Sequence, residues 1–127
     1  MSDGKRVLYI DDNQDHLMIV QAMLKRDGYD CVIHTDAQSG LEAALNEVYD
    51  LILLDIQMPK ISGIDLLKQL KQRQSEIGFR IVAITADSSA FSRQNPYSVG
   101  FDGYLSKPIL PPDLSRMVKQ VLAASTD

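Results

Sequence analysis

Short apolar runs alternate along the whole chain with segments whose apolar residues recur every three or four positions. Runs at 5–10, about 30–34, 51–54, about 80–84 and about 102–106 read as strands, and the segments between them as helices. That alternation is the signature of repeated βα units around a parallel sheet. The run 51–54, LILL, has no polar interruption, as expected of a strand covered on both faces, and it marks the sheet centre. The first helix follows Asp12, with Leu17, Val20 and Leu24 on one face. The second carries Leu41, Ala44, Leu45 and Val48, a stripe that should face the core. Ser62 with Asp65 reads as an amino cap for a third helix whose buried edge is Ile64, Leu67 and Leu70. Pro111-Pro112 introduces the last helix, with Leu114, Met117, Val118, Val121 and Leu122 as its stripe. The pattern gives an α/β fold of five strands and five helices. One segment is irregular: proline inside a helix costs about 3 kcal/mol, so Asn95-Pro96 reads as the cap and first residue of a short fourth helix. Residues 87 to 94 are then a long loop, with Ala90, Phe91 and Tyr97 available to a partner.

Composition limits what such a chain can be. With 127 residues, 45% of them hydrophobic, it can bury one core, so residues 1–127 are expected to form a single domain. The net charge is -4 and the Lys and Arg residues are scattered, which argues against direct nucleic-acid binding. No span approaches the roughly 20 apolar residues of a membrane helix, and a cytoplasmic location without membrane contact is expected. Cys31, the single cysteine, lies within the apolar stretch CVI and reads as a buried strand thiol. His16 and His34 have no partner at metal-ligand spacing and read as ordinary surface or strand-end residues.

The chemistry stands at the strand ends. Asp11-Asp12, Asp55, Thr85 and Lys107 close the runs VLYI, LILL, IVAI and GYLS. Parallel α/β sheets bind ligands outside the carboxyl ends of their strands, so three carboxylates, a hydroxyl and an ammonium should meet at one edge. Such a set suits a divalent cation and a phosphoryl group. Asp55 directly after LILL is costly to bury unless a cation or hydrogen bonds offset its desolvation, and a carboxylate can act as a nucleophile. Asp12 also admits a simpler role, since Asp12 or Asn13 can cap the first helix, and Asp12 with Asp15 resembles a capping box.

The acidic pair Asp11-Asp12, the loop DIQMPKISG from Asp55 to Gly63, the pair Thr85-Ala86 and the run Tyr104-Leu105-Ser106-Lys107-Pro108 resemble the receiver domain of two-component response regulators. The resemblance covers essentially the whole chain. It implies a flavodoxin-like, doubly wound (βα)5 sandwich with a parallel five-stranded sheet of order 2-1-3-4-5, an order shared by flavodoxin and a chemotaxis receiver. By the same resemblance, Asp55 accepts a phosphoryl group from the phosphohistidine of a sensor histidine kinase or histidine phosphotransfer protein. Mg²⁺ would be held by Asp11, Asp12, Asp55 and the backbone carbonyl of Gln57. Thr85, Ala86 and Lys107 would contact the phosphoryl group, Thr85 and Tyr104 would move as the switch, and the Lys107-Pro108 bond would be cis. Gln57 and Asp87 would flank the line of attacking water, and the exposed side of the first helix, where Met18 lies, would help dock the phosphodonor. The output would be the face of the fourth helix, fifth strand and fifth helix, toward an effector the sequence does not name. Such a domain is not an enzyme beyond its own phosphorylation and slow autodephosphorylation.

Two other classes are weighed against this one. A pseudo-receiver docks partners without phosphorylation, but the intact set Asp12, Asp55, Thr85 and Lys107 opposes it. A haloacid-dehalogenase-like phosphatase also uses an aspartate nucleophile with Mg²⁺, yet needs a DxD motif after the first strand, where this chain has Asp11-Asp12-Asn13.

Overall fold

The computed structural model describes residues 5–56, 63–86 and 100–124. Its elements run β1 (Arg6–Ile10), α1 (Gln14–Arg26), β2 (Asp30–His34), α2 (Ala37–Asn46), β3 (Leu51–Asp55), α3 (Gly63–Ile77), β4 (Arg80–Thr85), β5 (Gly103–Ser106) and a C-terminal helix (Pro111–Ala124). The sheet order is β2-β1-β3-β4-β5, with every pair parallel. The chain therefore winds outward from β1 in one direction and from β3 in the other, and a doubly wound sheet leaves its binding crevice where that order turns.

Side chains alternate across the sheet, so the three inner strands β1, β3 and β4 each feed two cores. Leu8, Ile10, Ile52, Leu54, Ile81 and Ala83 pack beneath α2 and α3. Val7, Tyr9, Leu51, Leu53, Val82 and Ile84 pack against α1 and the C-terminal helix. All five residues of β3 are buried, as its unbroken apolar run requires. Cys31 is buried in β2, where burial pushes its thiol up to about 12. Among the described residues, no helix is long and apolar enough to cross a membrane.

Most of the expected helix faces are buried as read: Leu17, Val20 and Leu24 in α1, Leu67 and Leu70 in α3, and Leu114, Val118, Val121 and Leu122 in the C-terminal helix. The second helix differs. It ends at Asn46, so Val48 lies beyond it and is exposed, as is Leu45. Its buried residues are Ala37, Gly40, Leu41, Ala43 and Ala44, a face shifted one turn earlier than the apolar pattern suggested. The reason is Gly40, whose missing side chain is the point of contact. A Cβ there would lie 2.6 Å from Ile10 Cγ1. Only glycine lets α2 approach β1 this closely, and a glycine adds nothing to a hydrophobic stripe. The capping alternative for Asp12 also gives way, because Asn13 is the amino cap of α1, its Oδ1 accepting from the His16 amide at 3.1 Å. Ser62, and the Asn95-Pro96 reading with Ala90, Phe91 and Tyr97, lie outside the described residues.

Candidate functional site

The parallel ladders bring the strand ends into register. Asp55 closes β3 opposite Ile84, Thr85 closes β4 opposite Ser106, and the Lys107 amide donates to the Thr85 carbonyl at 2.8 Å. On the other side, the Asp11 amide donates to the His34 carbonyl at the end of β2. The sheet thereby holds Asp11, Asp55, Thr85 and Lys107 along one edge. Asp11, Asp55 and Thr85 are buried, while Asp12 is exposed at the mouth.

Each of Asp11, Asp12 and Asp55 offers a carboxylate oxygen within 4.8 Å of the others. Lys107 bridges the two buried acids, with Nζ 3.0 Å from Asp11 Oδ2 and 3.4 Å from Asp55 Oδ2. Two like charges so close would be costly in a dry site, and the ammonium between them offsets that repulsion. Asp11 is also held from below. The Tyr9 hydroxyl donates to its Oδ2 at 2.5 Å and the Asn13 amide to its Oδ1 at 2.9 Å. Burial on its own would raise the Asp11 pKa, but the hydrogen bonds from Tyr9, Asn13 and Lys107 outweigh it and hold the carboxyl below its usual range. The same burial and the same bond push the Tyr9 phenol upward, so it remains a donor.

Oxygen donors of this kind, two sheltered and one open to solvent, fit a hard divalent cation that takes few carboxylates and keeps several waters. Of the remaining expected residues, Tyr104 is partly exposed on β5 opposite Ala83, Ala86 directly follows Thr85, and the Lys107-Pro108 peptide is cis. Met18 is exposed on α1. His34 keeps a strand-end role, its Nδ1 3.2 Å from Ser39 Oγ. Gln57 and Asp87 lie outside the described residues.

Two residues of the site were not among those expected from the sequence. Tyr9 reads as part of an apolar run, yet strand periodicity puts residues two apart on one side, which was the available signal that it could reach Asp11. His16 reads as a surface residue. In the structure its Nδ1 is 2.9 Å from Lys107 Nζ and 3.6 Å from Asp11 Oδ2.

Residues 7–119 match the response regulator receiver domain, and the chain belongs to that family of two-component signalling proteins. Among its relatives is the alkaline phosphatase synthesis transcriptional regulatory protein PhoP of Bacillus subtilis, 36% identical over 122 residues, which cover 96% of this chain and 50% of that protein. The response regulator ArlR of Staphylococcus saprophyticus is 32% identical over 118 residues, or 93% of this chain and 51% of ArlR. The chain thus spans about half the length of these relatives. In solved structures, a CheY-like receiver domain protein from Methanospirillum hungatei superposes with a TM-score of 0.85 at 30% identity, covering 96% of each chain. The response regulator TrrA of Thermotoga maritima, solved in complex with Mg²⁺ and BeF, gives 0.81 at 27% identity over 92% of this chain and 98% of TrrA.

Proposed function

We propose that residues 1–127 form a single phosphoaccepting receiver domain in which Asp55 takes a phosphoryl group from a phosphohistidine. The observation that carries this reading is the placement of Asp55: buried at the end of the central strand, within 4.8 Å of two further carboxylates and 3.4 Å from a lysine ammonium. The donor is a sensor histidine kinase or a histidine phosphotransfer protein.

Phosphoryl transfer asks little covalent work of a protein beyond an in-line nucleophile and positive charge around the transferring oxygens. An Asp55 carboxylate oxygen forms the new bond to phosphorus as the phosphorus–nitrogen bond of the phosphohistidine breaks and the imidazole leaves. Lys107, already beside Asp55, turns its ammonium to the phosphoryl oxygens. The Thr85 hydroxyl donates to one of them, and the Ala86 amide to another. Asp11, Asp12 and Asp55, with the Gln57 carbonyl, would hold Mg²⁺. When bound, the cation supplies further positive charge to the carboxylates and phosphoryl oxygens. Exchanging Gln57 or Asp87, the positions two after the acceptor and two after Thr85, should change the lifetime of the phosphate while phosphorylation persists.

The phosphate adds negative charge at Asp55, by analogy with other phosphorylated side chains. Thr85 is drawn toward it, and Tyr104, partly exposed beforehand, turns inward behind Thr85. Moving a population from mostly inactive to mostly active takes about 5.5 kcal/mol of differential stabilisation, so a partial shift is completed by the partner that binds the output face.

Phosphorylation with a small acyl phosphate, read by intact-protein mass, tests this function. The protein should gain one phosphoryl group in the presence of Mg²⁺ and none after chelation, and Asp55→Asn should gain none under either condition. Undiminished labelling of Asp55→Asn would sink the assignment. The metal has a separate readout in stability, since a cation that binds the folded site and not the unfolded chain favours the fold. At ten times its dissociation constant, Mg²⁺ should stabilise the unphosphorylated protein by about 1.4 kcal/mol. A melting temperature indifferent to both Mg²⁺ and chelator would argue against a metal site.

A further inference from the structure

We propose that His16 is a positioning residue that holds the Lys107 ammonium at the phosphoacceptor, an inference that rests on the reading of Asp55 and Lys107 above. An ammonium has three donors and no acceptor. At 2.9 Å from Lys107 Nζ, His16 Nδ1 must therefore accept, and the ring carries its proton on Nε2. The ammonium also donates to Asp55 Oδ2 at 3.4 Å and lies 3.0 Å from Asp11 Oδ2 as an ion pair. Lys107 thus has three close partners in the site, and His16 is the one among them that is not a carboxylate of the acidic cluster.

That difference matters during the reaction. A phosphoryl group on Asp55 changes one of the ammonium's partners, and a cation drawing on Asp11 competes for another. The imidazole is neither phosphorylated nor one of the expected cation ligands, and its contact keeps a long, rotamer-rich side chain aimed at the reacting oxygens. His16 is itself well placed to do this. Its own amide is the one capped by Asn13 in the first turn of α1, so the ring springs from a fixed backbone. The contact borders a cavity of about 270 Å³ whose other walls include Ile19, Val20 and Ile109.

The test is a cycle of variants followed by acyl phosphate labelling at one pH. His16→Leu fills similar space without an acceptor, whereas His16→Asn restores one at the δ1 position. His16→Leu should slow phosphorylation about tenfold, the scale of one hydrogen bond to a charged group, and His16→Asn should recover most of the rate. In a Lys107→Met background, His16→Leu should cause no additional slowing, because His16 acts only through the lysine. Equal slowing in both backgrounds, or no slowing in either, would overturn the proposal. A second readout does not depend on phosphorylation. The Lys107 side-chain ammonium, followed by NMR, should be exchange-protected in the wild type and His16→Asn and lose that protection in His16→Leu. An unchanged ammonium signal in His16→Leu overturns the positioning role even if Asp55 proves not to be the acceptor. Failure of the wild type to take the phosphoryl group, with the ammonium behaving as expected, would count against the function alone.

Discussion

Tyr9→Phe is expected to lower stability by about 2 kcal/mol near neutral pH, because it removes a hydrogen bond to a buried, ionised carboxylate. Tyr9 is fully buried, so the substitution leaves the packing in place and deletes only the hydroxyl that donates to Asp11 at 2.5 Å. The loss should also depend on pH. The folded-state pKa of Asp11 lies below its ordinary value, so the stability it contributes is present above the unfolded carboxylate pKa and drains as pH falls through the folded one. Removing the Tyr9 bond weakens that depression, and the variant takes up its proton first. The gap between wild type and variant should therefore be full at neutral pH and close in acid, below about pH 4. Urea unfolding of both proteins across that range checks it. A gap that stays constant with pH would mean that the hydroxyl stabilises the fold by something other than the Asp11 carboxylate.

Gly40→Ala should cost about 1 to 2 kcal/mol, although alanine favours a helix by about 1 kcal/mol. The added methyl would meet three carbons of Ile10, at 2.6, 2.7 and 3.0 Å. Ile10 is fully buried and branched at Cβ, so it has few rotamers into which to retreat. Gly103 makes the control. A Cβ there would lie 2.7 Å from Met117 Sδ, the far end of a flexible and only partly buried side chain that can shift aside. Gly103→Ala should therefore be near neutral. Chemical denaturation of the two variants, compared with the wild type, gives the answer; equal losses would show that the approach of α2 to β1 does not set the cost at position 40. Ile10 immediately precedes Asp11, so a Gly40→Ala variant that folds is also expected to disturb the acidic site.

These two residues mark where the sequence was and was not legible. The strands and most helix faces could be read because periods of 2 and 3.6 are local properties, written within a single segment. Asp11, Asp12, Asp55, Thr85 and Lys107 could be gathered into one site because they share a position, the end of a strand, in a fold whose strands all point the same way. The strand order itself came from the resemblance, since parallel pairing joins segments far apart in the chain and leaves no local mark. The face of α2 was misplaced because its closest contact is made by Gly40, an absence of side chain. Tyr9 was hidden in an apolar run by its ring, and His16 by its distance of 91 positions from Lys107. Hydrogen bonds between side chains that far apart depend on rotamers and on the exact approach of two elements, neither of which a pattern of residue types carries.

The identity of the acceptor can be read directly by chemistry. Phosphorylated protein treated with borohydride has its acyl phosphate reduced to an alcohol, converting the phosphorylated aspartate to homoserine at the position that carried the group. Peptide mass spectrometry should place that homoserine at position 55 and nowhere else, and only when Mg²⁺ was present during labelling. Homoserine at position 11 or 12, or labelled protein that yields none, would contradict the assignment of Asp55 as phosphoacceptor.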